Sequence, residues 1–230
     1  MYQVLITDPI HADGIALLKK SKNIRVTIDD SISQNELAKN IHKYDGLIIR
    51  SRTPLSKDLL KKALKLKVIG RVGIDVSHIP VEQASRQGIV IVNSPRGNVV
   101  ATAEHTLGLI IALLRNTIPA HQKLQLGKWE RVLYEGQELA GKKLGIIGLG
   151  KIGSEVTWRA RAFNMIILAH DPYVTQEYAE TRYASLVSLE KLLSESDIIT
   201  IHAPFTNLTQ KMINKKTISR MKQGAFLINC

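Results

Sequence analysis

A glycine-rich turn directly follows an apolar run in the middle of the chain. Residues 143–147 lead into Gly148, Leu149, Gly150, Lys151, Ile152 and Gly153, which have the spacing G-x-G-x-x-G. Gly148 permits a tight turn, Gly150 lets the backbone approach a pyrophosphate, and Gly153 lets the next helix pack close to its strand. The positive end of that helix would face the phosphates. The spacing therefore predicts a dinucleotide-binding site.

A carboxylate stands where such a site needs a ribose ligand. Residues 165–170 form a second apolar run, and Asp171 follows it 18 residues after Gly153. A carboxylate at this position accepts hydrogen bonds from the adenosine ribose hydroxyls and repels a 2'-phosphate. No arginine follows directly to offset that repulsion. We therefore expect the cofactor NAD in preference to NADP.

Two cations and two hydroxyls close an earlier apolar run. Arg50, Ser51, Arg52 and Thr53 follow residues 46–49. Guanidinium and hydroxyl groups are suited to binding a phosphate or a carboxylate. The alternative interpretation is a pair of surface arginines at the end of a strand.

The remaining chemically active side chains give weaker signals. His105 lies inside an apolar segment, which favours a core or interface histidine, and His202 lies at the end of a strand. Cys230 has no base at catalytic spacing, so we do not expect it to act as a nucleophile. No metal site is predicted.

Strand-like and helix-like segments alternate along the chain, which predicts an α/β fold with parallel sheets covered by helices on both faces. Before the glycine motif, strands are expected at residues 4–7, 24–28, 46–49, 67–71 and 89–93, and helices at 12–20, 34–44, 57–64 and 81–87. After it, helices are expected at 151–163, 188–193 and 215–221, and strands at 197–202 and 225–229. We predict a flavodoxin-like domain over residues 1–97 and an incomplete Rossmann domain over residues 98–230. Residues 98–115 are apolar almost all round, which is typical of a helix buried between layers or subunits.

Composition narrows the class of protein. The 230 residues are 44% hydrophobic and contain one cysteine, so no disulfide can form within the chain. The N-terminus has no apolar signal core, and no run approaches the roughly 18 apolar residues of a membrane span. We therefore expect a soluble cytoplasmic protein.

The net charge of +12 and pI of 9.8 would suit nucleic-acid binding. However, residues 57–67 alternate cations with apolar residues at helical spacing, so nucleic acid is disfavoured and an anionic cofactor and substrate explain the charge as well.

Several motifs in order resemble the NAD-dependent D-2-hydroxyacid dehydrogenases over essentially the whole chain. The matching segments are residues 70–73, 88–95, 98 with 103–106, 127–129, 148–153, 171–173, 202–204 with 209, and 221–230. The resemblance implies a substrate domain, a nucleotide domain and a homodimer joined through the nucleotide domain. It is strongest to members that oxidise 3-phosphoglycerate to 3-phosphohydroxypyruvate in L-serine biosynthesis.

The resemblance also assigns residues to the cofactor and the substrate. Besides the glycine motif and Asp171, the implied cofactor positions are Thr102, Ile74, His202, Pro204, Thr209 and Cys230. For Thr102 and Ile74 plain packing is the alternative, and for His202 contact with ribose or adenine is expected, not proton transfer. The implied substrate positions are Arg50, Ser51, Arg52, Gly73 and Asn98.

The family's carboxylate-binding arginine, its acid/base histidine and the paired glutamate match positions beyond Cys230, so no catalytic residue is assigned in this sequence. We expect the chain to be cut off before its nucleotide sheet is complete and to be inactive as it stands.

The loop after Gly73 departs from the family pattern at Asp75, Ser77 and His78. A carboxylate at Asp75 would oppose an anionic substrate unless its side chain points away, or else the substrate preference has shifted. Three other functions stay open: a glyoxylate, hydroxypyruvate or other 2-hydroxyacid reductase, a non-enzymatic NAD(H)-sensing scaffold or inactive homologue, and, third, a nucleic-acid binder.

Overall fold

The computed structural model describes every residue from Met1 to Cys230. The chain forms two compact units, Met1–Asn98 and Val99–Cys230. Each unit contains one sheet of five parallel strands.

The first unit alternates strands and helices from its first residues. Its elements are β1 Tyr2–Ile6, α1 Ala12–Lys19, β2 Ile24–Ile28, α2 Gln34–Asn40, β3 Gly46–Ile49, α3 Lys57–Lys62, β4 Val68–Arg71, α4 Val81–Arg86 and β5 Val90–Asn93. The strand order β2-β1-β3-β4-β5 is that of flavodoxin-like sheets, as expected from the sequence. Serine side chains start two of the helices: Ser33 accepts the N–H of Glu36 in α2, and Ser56 accepts that of Leu59 in α3.

The core of the first unit lies on one face of its sheet. Leu5 and Leu47 project from the strands onto this face and pack with Leu37 of α2 and Leu60 of α3. The opposite face is only partly covered, because α1 buries no residue and Val90 of β5 is 59% exposed. The expectation that helices cover both faces is therefore met only in part here.

The second unit repeats the alternation with a different strand order. Its elements are α5 Val99–Leu114, α6 Thr117–Gln125, β6 Lys143–Ile147, α7 Lys151–Ala162, β7 Ile166–His170, α8 Gln176–Glu180, β8 Ser185–Leu186, α9 Leu189–Glu195, β9 Ile198–Ile201, α10 Lys215–Ile218 and β10 Phe226–Asn229. The order β10-β9-β6-β7-β8 places β6 between β9 and β7. When β6 is numbered 1 and the sheet is read from β8 to β10, this is the strand order 3-2-1-4-5 of a Rossmann fold. The order confirms the predicted fold class. The sequence did not predict α6, α8 or β8.

Apolar side chains cover both faces of the second sheet. On one face, Ile110 of α5 and Val156 of α7 pack against Ile146 of β6. On the other, Leu192 of α9 packs with Ile199 of β9. The nucleotide-binding sheet is thus enclosed in the way that parallel sheets require.

Helix α5 buries only one of its faces within the chain. Ala103 and Leu107 are buried, but His105 and Leu113 are exposed. Of the two positions predicted for His105, the core is wrong, because the helical turn places it on the outer face, and the interface stays a prediction. No helix in the structure is both long enough and apolar enough to cross a membrane.

Candidate cofactor and substrate sites

The glycine loop connects β6 to α7 at the carboxyl edge of the second sheet. Gly148 has φ +93°, a conformation that L side chains rarely adopt. A Cβ atom on Gly148 would lie 2.8 Å from the backbone of His202 and Ala203, which follow β9. A Cβ on Gly153 would overlap the carbonyl oxygen of Gly148. Both positions accept only glycine without movement of the backbone.

The start of α7 is suited to an anion. Gly150 precedes the helix and has no side chain to cap it, and a Cβ there would meet nothing within 4 Å. The first turn of a helix presents backbone N–H groups and the positive end of the helix dipole. The loop lies between β6 and β9, where the strand order reverses and where ligands of open α/β sheets bind. The residues present therefore fit the pyrophosphate of a dinucleotide.

Asp171 is held beside this loop by two backbone hydrogen bonds. Its Oδ2 accepts the N–H of Leu149 at 2.9 Å, and its Oδ1 accepts the N–H of Tyr173 at 2.9 Å. The side chain is half-buried. Each carboxylate oxygen has more than one lone pair, so the group can still accept hydrogen bonds from a ribose.

The end of β9 forms another part of the same edge. His202 donates its backbone N–H to the carbonyl of Ile147 at 2.7 Å, and its Nε2 lies 3.0 Å from Oγ1 of Thr200. Burial lowers the pKa of His202 to about 4. The imidazole is therefore neutral at pH 7, which suits a contact residue better than a proton carrier. Nearby, Thr209 donates its hydroxyl to the carbonyl of Pro204 at 2.6 Å and so fixes the loop that follows.

Two other expected cofactor residues are connected through one threonine of α5. The Oγ1 of Thr106 donates to the carbonyl of Thr102 at 2.8 Å. The same atom lies 3.3 Å from the Sγ of Cys230, after β10. The structure thus brings Thr102 and Cys230 together within the second unit, although they are far apart in sequence.

In the first unit, the expected anion-binding segment follows β3. Arg50, Ser51 and Arg52 are exposed, whereas Thr53 is buried. Arg50 also donates its backbone N–H to Oδ2 of Asp8, after β1, at 2.7 Å. The sequence alone does not single out Asp8. The sequence shows only a carboxylate close after an apolar strand. Its contact with Arg50 can be anticipated only when β1 and β3 are known to be neighbours.

The loop after β4 holds Gly73, Ile74 and the departures from the family pattern. Asp75 accepts the backbone N–H of Ser77 at 2.9 Å and its hydroxyl at 2.6 Å. The Ser77 hydroxyl, followed by the Ser77 N–H, holds the pKa of Asp75 below its usual value. The Ile74 carbonyl accepts the side-chain amide of Asn93 in β5 at 2.8 Å, and the Gly73 carbonyl accepts the backbone N–H of Ser94, directly after β5, at 3.0 Å. The Asp75 charge is thus engaged within its own loop, and Asn98 lies on the exposed surface.

Sequence comparison identifies the relatives of this chain. Residues 107–230 match the family model described as D-isomer specific 2-hydroxyacid dehydrogenase, NAD binding domain. The whole chain is 39% identical to D-3-phosphoglycerate dehydrogenase of Bacillus subtilis and 41% identical to that of Methanocaldococcus jannaschii, and covers 43% and 44% of those proteins. It is also 37% identical to hydroxypyruvate reductase of Thermotoga maritima over 99% of its own length and 73% of the relative's. The chain therefore spans less than half the length of the phosphoglycerate dehydrogenases named here.

Solved structures show the same architecture. The TT0316 protein from Thermus thermophilus superposes with a TM-score of 0.91 at 29% identity, over 99% of this chain and 73% of that one. A D-lactate dehydrogenase from Aquifex aeolicus, complexed with NAD and lactic acid, superposes with a TM-score of 0.83 at 28% identity, over 99% of this chain and 68% of that one. This chain belongs to the D-isomer specific 2-hydroxyacid dehydrogenase family, and its second unit is an NAD-binding domain of that family.

Proposed function

We propose that this chain supplies the NAD-binding and substrate-binding surfaces of an enzyme that oxidises 3-phosphoglycerate to 3-phosphohydroxypyruvate in L-serine biosynthesis. The glycine loop and Asp171 would hold NAD, which would supply the hydride acceptor for oxidation of the carbon that carries the substrate hydroxyl. The observation that carries the proposal is the anchored Asp171 carboxylate beside the uncapped start of α7. Family membership and the names of the relatives support the substrate class.

In this proposal, residues of the second unit bind and orient the cofactor. The backbone of the glycine loop, from Gly148 to Gly153, faces the pyrophosphate, and Asp171 accepts the ribose hydroxyls. His202, Pro204 and Thr209 border the adenosine. Thr102 and Cys230 approach the nicotinamide.

Residues of the first unit bind the substrate anion. Arg50 and Arg52, with Ser51 between them, supply two guanidinium groups and a hydroxyl for the phosphate. Gly73 and Asn98 border the carboxylate. The hydrogen bonds from Ser77 fix the orientation of the Asp75 carboxylate within its own loop, but they keep it ionised and so do not remove its charge.

The deciding experiment compares phosphorylated with unphosphorylated substrates in the natural protein. We expect kcat/KM for 3-phosphoglycerate to exceed that for D-glycerate by about 100-fold, since two charge-assisted contacts contribute roughly 1.5 kcal/mol each. Equal values for the two substrates would contradict the proposed substrate.

A hydroxypyruvate or glyoxylate reductase is the second candidate. It is favoured by the similarity to the hydroxypyruvate reductase of Thermotoga maritima, of which this chain covers the larger share. Preferential reduction of unphosphorylated hydroxypyruvate over its phosphate would support this function and oppose the first.

We also propose that a second copy of the chain covers the outer face of α5. A groove of about 690 Å³ lies between α5 and α7, and Trp158 beside it is 67% exposed. An apolar, aromatic-lined groove of this kind is typical of an interface between subunits. Light scattering should show a dimer that Trp158→Asp dissociates, whereas Leu64→Asp, at an 82% exposed position of the first unit, leaves it intact. A wild-type monomer at working concentration would contradict this interface.

A further inference from the structure

Asp8 is a fully buried carboxylate that lies two residues beyond the end of β1. Its Oδ2 accepts the backbone N–H of Arg50 at 2.7 Å. Its Oδ1 is also buried and has no hydrogen-bond partner. A buried carboxylate with half of its acceptors unused is costly compared with an apolar side chain of similar size. Stability alone therefore does not account for an aspartate at this position.

The location of Asp8 indicates another role. In the strand order β2-β1-β3-β4-β5, the direction of winding reverses between β1 and β3. Ligands of open α/β sheets bind beyond the carboxyl ends of the strands at such a reversal. Asp8 comes from one of these two strands, and the Arg50–Thr53 segment comes from the other.

Both ends of the Arg50–Thr53 segment are hydrogen-bonded to residues that follow β1. Asp8 holds the backbone of Arg50, whose Nη1 also donates to the carbonyl of Pro9 at 3.3 Å. At the other end, the buried hydroxyls of Thr53 and Thr7 share a hydrogen bond of 2.9 Å. Between these anchors lie the exposed Ser51 and Arg52. The backbone that carries both guanidinium groups is thus fixed before any anion arrives.

We propose that Asp8 is a positioning residue for anion recognition by Arg50 and Arg52. Its hydrogen bond fixes the backbone from which both arginines extend, so the two cations need little reorganisation on binding a phosphate. This inference rests on the proposed function, because it takes the phosphorylated end of the substrate to be bound by this segment.

The same sheet contains a matched control. At its opposite edge, Asp45 precedes β3 and accepts the backbone N–H of Gln3 in β1 at 2.9 Å. Asp8 and Asp45 therefore make the same kind of bond between the same two strands, each across 42 residues of sequence. Only Asp8 lies at the carboxyl ends of the strands, so only the loss of Asp8 should weaken substrate binding.

The experiment uses Asp8→Ala, Asp8→Asn and Asp45→Ala in the natural protein. Amide hydrogen exchange should become at least tenfold faster at Arg50 in Asp8→Ala and at Gln3 in Asp45→Ala. Asp8→Ala should raise KM for 3-phosphoglycerate about tenfold, with less than a threefold change for D-glycerate and for the Kd of NADH. Asp45→Ala should lower the Tm without changing this selectivity. Asp8→Asn should retain the wild-type values within about threefold, because its oxygen can accept the Arg50 N–H while its NH2 takes the place of the unpartnered oxygen.

Three results would overturn the inference: unchanged exchange at Arg50 in Asp8→Ala, the same loss of selectivity in Asp45→Ala, or no recovery in Asp8→Asn. If Asp8→Ala fails to fold, Thr53→Val removes the second anchor and should shift KM in the same direction by a smaller factor. An unchanged KM in that variant would also count against the proposal. Failure of the proposed function gives a different result, since the wild-type protein would then show no preference for the phosphorylated substrate, while exchange at Arg50 would still report on the anchor.

Discussion

Asp8 and Asp171 occupy corresponding places in two sheets of different strand order. Each lies within two residues of the end of a parallel strand, β1 or β7, and each accepts the backbone N–H of a residue just beyond the neighbouring strand, Arg50 or Leu149. In both units a carboxylate therefore connects two strand ends at the carboxyl edge of the sheet, where ligands of such sheets bind.

The two carboxylates differ in how much of each remains accessible. Asp8 is fully buried, with one oxygen unpartnered. Asp171 is half-buried, and both of its oxygens accept a backbone N–H. A group that solvent cannot reach can only position its neighbours, whereas an anchored but accessible carboxylate can also bind. The same bond thus supports a positioning role in the first unit and a ligand role in the second.

The largest effect is expected from displacing the loop that Asp171 anchors. In Gly153→Ala the new Cβ overlaps the carbonyl oxygen of Gly148. Because this oxygen belongs to the backbone, relieving the overlap requires an energetically costly backbone movement. We expect a loss of about 3 kcal/mol in the free energy of unfolding, measured by urea denaturation, and no detectable NADH binding. Gly150→Ala is the matched control, because a Cβ there meets nothing within 4 Å, and its stability should change by less than about 1 kcal/mol. Equal destabilisation by both substitutions would show that the loop is not packed as described.

The next largest effect tests the ligand role of Asp171. Asp171→Ala removes the carboxylate proposed to accept the ribose hydroxyls, so NADH binding should weaken by about 2 kcal/mol, or roughly 30-fold. NADPH should lose less, because the repulsion of its 2'-phosphate is removed at the same time. Calorimetry with both cofactors measures the two affinities. Unchanged discrimination between them would refute this role.

A smaller effect is expected at the corresponding edge of the first unit. Replacing either Arg50 or Arg52 by Ala in the natural protein should raise KM for 3-phosphoglycerate about tenfold, the effect of losing roughly 1.5 kcal/mol from one charge-assisted contact. Arg25→Ala, which removes an exposed cation from β2, serves as the control for net charge. The affinity for NADH should stay nearly constant in all three variants. If D-glycerate were affected as strongly as 3-phosphoglycerate, the arginines would not be phosphate ligands.

The two carboxylates also differ in how readily the sequence reveals them. The glycine motif and Asp171 could be recognised because their spacing is local and each residue type has one steric or electrostatic reason. Asp8 could not be recognised in this way, because its importance depends on β1 and β3 being neighbours. No local sequence pattern indicates that these two strands pair. Helix α6 was missed for a related reason: it buries no residue and so has no apolar period to detect.

The exposure of α5 could not be predicted from composition either. Apolar residues almost all round the helix indicated burial, but its outer face is exposed in the single chain. The apolar pattern of the helix indicates only that burial of this face is favourable. It does not identify the surface that buries it.

The smallest expected effect concerns pH and sharpens the description of the second edge. Burial lowers the pKa of His202 to about 4 in the folded protein, against about 6.5 when the chain is unfolded. As pH falls from 7, the unfolded chain therefore takes up this proton first, and unfolding becomes more favourable. The contribution is fully present above pH 6.5 and is lost progressively toward pH 4. Between pH 7 and 5.5 it should cost the wild-type protein about 1 kcal/mol in the free energy of unfolding. Urea denaturation of wild type and His202→Asn at both pH values isolates this histidine from other titrating groups, because they are common to both proteins. An equal loss in the two would mean that His202 is not held neutral by burial, and its assignment as a contact residue would lose its electrostatic support.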